Sequence, residues 1–414
     1  MSRRSRRRRE RPPIQRHDTD AAAPVSLPQL FWIFFRIACT SFGGFMAIIS
    51  VVQNVVVERR KLLAHQEMLD GISLATLLPG PTAVNVVAYV GYRLRGGAGA
   101  ATSVCAAVLP PFVLIMALSI AYFRWGNIPA VSGIFMGFVP AVAAIILAAG
   151  WNMARKSITG VREGAIAAVA AAILLGVGGF FSTLAIVIGA GLLGWWWFRK
   201  PNTSEPHRNA ARSKAPTSAK ARMNQFFLDL GPLAAVPLAP VDPTLLLKLF
   251  AVFGGMSLML FGGGYVFIPL IGEVVVKGQG WLTQREFIDG VALGQIMPGP
   301  ILVSAAFIGY KVAGVSGAAV ATLGMFGPPA LLMVGCTRLL ERMKKSNAMQ
   351  ASLRGVRPAV IGMIFAAVVI VGKHAVPAWT SVAIFAVALI ALLKLRADAV
   401  WVIPAAGLIG FFVY

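Results

Sequence analysis

One pair of short phrases occurs twice in this chain at the same spacing, and that repetition restricts its folds more than any other feature. Phe42-Gly43-Gly44 precedes Leu78-Pro79-Gly80-Pro81, and 219 positions later Phe261-Gly262-Gly263 precedes Met297-Pro298-Gly299-Pro300. Asp70-Gly71 and Asp289-Gly290 keep the same register. One residue then drops out, and Gly91-Tyr92, Pro110-Pro111 and Gly137 with Pro140 match Gly309-Tyr310, Pro328-Pro329 and Gly355 with Pro358 at 218 positions. A repeat this long is a structural half, not a solenoid unit.

What surrounds the repeats places them in a membrane. Hydrophobic residues make up 57% of the chain, charged residues 13%, and the mean hydropathy is +0.76, which excludes a soluble globular domain. Apolar stretches near 30–57, 71–92, 98–123, 129–154 and 163–198 recur near 244–276, 290–310, 313–340, 358–372 and 377–414. Each is long enough for a helical span, and the last of each half is long enough for a hairpin, with turns expected at Gly178-Gly179 and Lys394 to Asp398. The expected fold is an all-α polytopic membrane protein. It divides into a basic tail (1–28), a first transmembrane half (29–198), a basic linker with room for one short span (199–243) and a second half (244–414). Paired halves with Gly- and Pro-interrupted segments are the pattern of a carrier with a midplane site.

The net charge of +23 is concentrated in an Arg-rich start, Arg3 to Arg11, and in the linker from Arg199 to Arg222. Both read as disordered. Beside apolar spans, such runs are retained in the cytoplasm and touch anionic lipid, a plainer use than nucleic-acid binding. The first apolar segment is too long, and lacks the cleavage site, for a signal peptide. With the amino terminus inside, the basic loop at 338–357 is also cytoplasmic while its counterpart at Arg124 is outside, so an inverted repeat is expected. Two models remain for each Pro-Gly-Pro segment. If it crosses, each half has six spans, and the linker stretch Phe226 to Ala239, with Asp229, Pro232 and Pro237, must cross too. If it re-enters, each half has five spans; this model ranks second because it puts the basic linker and the 338–357 loop outside.

Two prolines flanking a glycine remove backbone donors and break a helix, and freed peptide groups survive at membrane depth only inside protein or around a polar cavity. A helix resuming at Thr82 or Ile301 would present free N–H groups and a positive dipole end to an anion. The expected binding set is therefore Gly43, Gly44, Pro79, Gly80, Pro81, Thr82 and Asn85 with Gly262, Gly263, Pro298, Gly299, Pro300 and Ser304. A purely structural reading is that such residues only kink helices and tighten packing; recurrence at fixed spacing favours the site.

Ionisable residues in apolar runs are functional candidates. Arg36 can counter a divalent anion or snorkel to the interface, and Arg93 and Lys311 can guide anions or anchor the chain. Glu273, matched by Asn54 in the first half, is a candidate for proton coupling or an interfacial partner of Lys277. Glu67 with Asp70 and Glu286 with Asp289 read as acidic first helical turns. Cys39, Cys105 and Cys336 lack paired spacing and the four histidines form no cluster, so neither a disulfide nor a metal or cofactor is expected. With no His-Glu-x-x-His or Gly-x-Ser-x-Gly signature, an enzyme is not expected either.

The two Gly-Gly and two Pro-Gly-Pro phrases, with Asn85, resemble the chromate ion transporter family in its long two-domain form. The resemblance covers the chain except its tail and linker. It implies chromate export from the bacterial cytoplasm across the plasma membrane, driven by potential or proton gradient, and hence chromate resistance. Sulfate, with nearly the same shape and charge, is a competing substrate, a channel is the alternative mechanism, and a homodimer is compatible with the chain.

Overall fold

The computed structural model describes residues 25–41, 44–125, 129–178, 180–198, 242–260, 267–337, 339, 346–373, 379–395 and 397–414. The basic tail and linker lie outside these. The described residues are helical, with no strand among them, and the helices follow one order twice. In the first half they are α1 (Leu27–Thr40), α2 (Gly44–Gln53), α3 (His65–Leu77), α4 (Thr82–Trp125), α5 (Pro129–Ser157), α6 (Val161–Gly176) and α7 (Phe180–Trp197). In the second they are α8 (Pro243–Ser257), α9 (Phe267–Gly272), α10 (Gln284–Ile296), α11 (Ser304–Thr337), α12 (Asn347–Gly372), α13 (Trp379–Leu393) and α14 (Ala399–Val413). Both α2 and α9 end in a wide π turn, at Asn54–Arg59 and Glu273–Gly278.

The phrases that repeat are where the chain reverses. α3 has 13 residues, a length of ~20 Å at 1.5 Å per residue, and stops at Leu78-Pro79-Gly80-Pro81. The first arm of α4, residues 82–94, then runs back alongside it. Gly71 lies under the ring of Tyr89, so closely that a methyl there would overlap it, and Glu67 pairs with Arg93 at the open end. The second copy repeats every contact: Gly290 under Phe307, and Glu286 with Lys311 at 2.9 Å. Thr283 and Glu286 form a capping box at the start of α10. The single crossing expected over 71–92 is therefore corrected: 65–94 is a helical hairpin folded at the Pro-Gly-Pro tip, and 284–312 is another.

A second reversal follows. α4 and α11 leave helical geometry at Arg95-Gly96 and Ala313-Gly314, with Gly96 at φ +63° and Gly314 at φ +61°. Beyond the turn the long arms pack so closely on the short ones that no Cβ fits at Gly91 or Gly99, or at Gly309 or Gly317, without meeting the facing backbone. The long arm 97–125 is long enough to span a ~30 Å hydrocarbon core, whereas the hairpin arms are too short. Thr82–Trp125, Ser132–Arg155, Ile301–Thr337 and Asn347–Gly372 are long and apolar enough to cross a membrane.

Each half completes the other. At the far end of α4, Tyr122 packs edge-on against Phe307 and Phe123 stacks on Phe307 and Tyr310, and the Tyr122 hydroxyl donates to Asp289 Oδ2 at 2.8 Å. The start of α5 lies at that same end, where Arg285 donates to Ser132 Oγ at 2.6 Å. At the opposite end Met333 of α11 joins the cluster of Met68, Leu63 and Val86. The helix pair α6 and α7 packs on α12 through Ala167, Ala190 and Gly194 against Gly362 and Gly355. In turn α14 packs on α5 through Ala406 and Gly410 against Gly137. The expected turns at Gly178 and near Lys394 do join the terminal helices.

Candidate functional site

The hairpin tips meet at the centre, and each finds its hydrogen-bond partner in the other half. Gly80 N–H donates to Leu260 C=O at 2.6 Å, and Gly299 N–H donates to Ser41 C=O at 3.0 Å. Both acceptors are the last described residues before the Gly-Gly phrases, so four broken elements converge. The tip glycines have φ +112° and +117°, a region other residues rarely adopt. Each also faces a proline of the partner half's long helix: a Cβ at Gly299 would come within 2.8 Å of Pro111 Cγ, and one at Gly80 would overlap Pro329. Thus the Pro-Pro pairs, left unassigned by the sequence reading, form the walls against which the tips rest.

Helix α4 resumes as expected. Asn85 N–H, bonded to Pro81 C=O at 2.9 Å, is the first amide of α4 to close a turn, so those of Thr82, Ala83 and Val84 precede it without intrahelical partners. Ala83 and Val84 line a small cavity with Ile37, Ala38, Gly299 and Pro300, which has room for about one water molecule. Its lining is wholly apolar. Asn85 is fully buried; its Nδ2 donates to Pro79 C=O at 3.2 Å, while Oδ1 has no partner among the described residues. The second tip is tighter. Val303 N–H bonds Pro300 C=O at 3.0 Å in a 3₁₀ turn, and the buried Ser304 hydroxyl turns back to Ile301 C=O at 2.9 Å.

Of the expected binding residues, Pro79, Gly80, Pro81, Thr82, Asn85, Pro298, Gly299, Pro300 and Ser304 come together at the tips. Gly44 begins α2, and Gly43, Gly262 and Gly263 lie outside the described residues. Arg36 is on the exposed face of α1, beside Trp32, while Ile33, Phe34 and Ile37 form its packed face. Arg93 and Lys311 stand at the hairpin bases, paired with Glu67 and Glu286. Glu273 is 5% exposed and accepts from Lys277 Nζ at 2.7 Å. At the matching positions Asn54 donates to Glu58 Oε2 at 2.8 Å. Glu67 and Glu286 do stand in the first turns of α3 and α10, but Asp70 and Asp289 lie further in. The sequence reading missed the role of Asp289, which is 1% exposed and bonded across the halves. Its only sequence signal was the asymmetry between Tyr122 and the Leu340 that matches it.

A helical membrane protein whose duplicated broken helices converge at its centre belongs to the class of polytopic membrane transporters. The chain belongs to the chromate transporter family, whose model matches residues 28–195 and 247–411. A chromate transport protein of Cupriavidus metallidurans is 29% identical over 96% of this chain and 97% of its own length. A probable chromate transport protein of Synechococcus elongatus is 32% identical over 89% and 91%. A chromate transport protein of Pseudomonas aeruginosa is 30% identical over 94% and 93%. No solved structure matches the chain.

Proposed function

We propose that this protein is a secondary active transporter that exports chromate across the bacterial plasma membrane and so confers chromate resistance. The observation that carries the reading is the reciprocal bonding of the tips, Gly80 to Leu260 and Gly299 to Ser41, which puts two helix starts at one central point. Chromate is a tetrahedral dianion, and helix N-termini offer it N–H groups and a partial positive charge without a titratable cation. Thr82, Ala83 and Val84 supply those groups in the first half, with the Asn85 amide beside them. Ser304 and the backbone after Pro300 supply the second half's share. No catalytic step is assigned.

The halves are read as an inverted repeat of re-entrant hairpins. Support comes from the long arm of α4, residues 97–125, which starts beside the Glu67–Arg93 base and ends on the Glu286–Lys311 base. The former end carries Arg59, Arg60, Lys61, Arg93, Arg95, Arg155, Arg162, Arg354 and Arg357, and faces the cytoplasm with the amino terminus. The other carries Arg124, Lys248, Lys277, Arg285, Lys311 and Lys373. Re-entry of both hairpins thus keeps the 338–357 loop and the start of the linker inside, removing the objection to it. Helix α7 ends at the cytoplasmic side, where Arg354 lies 5.7 Å from the Phe198 ring, whereas α8 starts outside, where Lys248 lies 5.9 Å from the Trp281 ring. The linker then has to join opposite faces, and its candidate for that part, Phe226 to Ala239, is by sequence a poor span, short and carrying Asp229, Pro232 and Pro237. Basic residues on the inner face meet anionic lipid.

Uptake of radiolabelled chromate into everted vesicles, with and without an imposed gradient and with excess sulfate, tests the reading. Gradient-dependent accumulation that sulfate barely inhibits is expected. Passive equilibration without accumulation would instead describe a channel, and efficient sulfate transport in place of chromate would reassign the substrate.

A further inference from the structure

We propose that Asp289 is a proton-binding site on the outer side of the second hairpin, taking its proton at Oδ1 while the Tyr122 hydroxyl holds Oδ2. The inference rests on the transporter reading and adds to it the group that carries the driving ion. Three observations on geometry support it. Asp289 is 1% exposed, so its carboxyl is shut from bulk water. Its Oδ1 has no hydrogen-bond partner, and no cation lies within salt-bridge distance of it, among the described residues. Its one bonded oxygen accepts from Tyr122, which belongs to the other half, 167 residues away.

An ionisable side chain buried at membrane depth is a functional candidate, because holding it there is costly. The charges nearest it are on its own helix. Arg285 donates to the neutral Ser132 hydroxyl of α5 and keeps its positive charge, which favours the carboxylate, whereas Glu286 is paired with Lys311 of α11. Glu273 and Lys277, at the end of α9, neutralise each other. From α4 only Tyr122 reaches the site, and α14 brings no charged side chain. Proton balance is simple: the carboxylate takes one proton from the outer aqueous phase to become the acid, and releases it to the cytoplasmic side when the tip region changes conformation. Since Tyr122 rides on the first half's long helix, the bond is a place where protonation alters the grip of one half on the other. The matching first-half residue is Asp70. Asp70 accepts from Gln66 at 3.3 Å and is partly exposed, and the residue matching Tyr122 is Leu340, which cannot donate.

The test uses the purified full-length protein. Infrared difference spectra across a pH titration should show a protonated-carboxyl band that is absent from Asp289→Asn and shifted in titration midpoint in Tyr122→Phe. In proteoliposomes with a trapped pH dye, proton movement per chromate exchanged should fall to background in Asp289→Asn. An unchanged band, or unchanged proton movement, in that variant would overturn the proposal. If Asp289→Asn does not fold, an unshifted titration in Tyr122→Phe overturns it. Absence of chromate exchange by the wild type would defeat the substrate reading alone, since the infrared measurement needs no substrate.

Discussion

The two hairpins share their backbone and differ in their side chains. Tip glycines at φ +112° and +117°, turn glycines at φ +63° and +61°, glycine pairs at the second reversal and an ion pair at each base are common to both. Yet the first tip carries Asn85 with an unbonded oxygen, and the second carries Ser304 bonded to its own helix. Asp70 is partly exposed and accepts from Gln66 of its own helix; Asp289 is buried and bonds across the halves. Even the π turns reverse polarity, Asn54 with Glu58 against Glu273 with Lys277. Duplication preserved what the backbone needs in order to reverse at depth, and left the polar chemistry free to specialise. On this view the first tip is built for the anion and the second hairpin for the coupling ion.

Breaking the shared part should have the largest effect. Gly80→Val and Gly299→Val each force a side chain into Pro329 or Pro111 at a φ that only glycine holds comfortably, so both should abolish transport and sharply lower the melting temperature in detergent. Pro79→Ala and Pro298→Ala should also abolish chromate accumulation while leaving membrane insertion intact, because a continuous helix erases the free N–H groups without adding bulk. Normal transport in both would move the site elsewhere. The comparison sharpens at the next level: Asn85→Ala should cost transport about tenfold, near 1.4 kcal/mol, whereas Ser304→Ala should cost less than half that energy. Equal losses would remove the division of labour. Smallest of all, Glu67→Gln, which opens a partly exposed ion pair, should lower stability by about 0.5 kcal/mol or less and leave vesicle transport near wild type.

Much of this was legible in the sequence. The duplication, the breaks at Pro-Gly-Pro, the turn near Arg95 and the resumption of α4 at Thr82 follow from residues that act locally, through missing donors and permitted φ angles. The direction taken after each break was not legible. A hairpin with two short apolar arms and a single apolar span have the same hydropathy, and what separates them is the fit of Gly71 under Tyr89 and of Gly91 on Gly99, visible only once the arms are side by side. The importance of Asp289 was hidden for the same reason, since its partner lies in the other half. Arg36 drew notice through the apolar run around it, but helical periodicity turns it away from Ile33, Phe34 and Ile37.

The exchange of hydrogen bonds between tips also bears on how such a chain is assembled. Neither Gly80 nor Gly299 satisfies its amide within its own half; each borrows a carbonyl from the other. During synthesis the first hairpin is therefore made before its acceptor, Leu260, exists, and it waits with an exposed donor until α8 arrives. A half-length copy would face the same want permanently, and would have to find a second copy, inserted the other way up, to close its own centre.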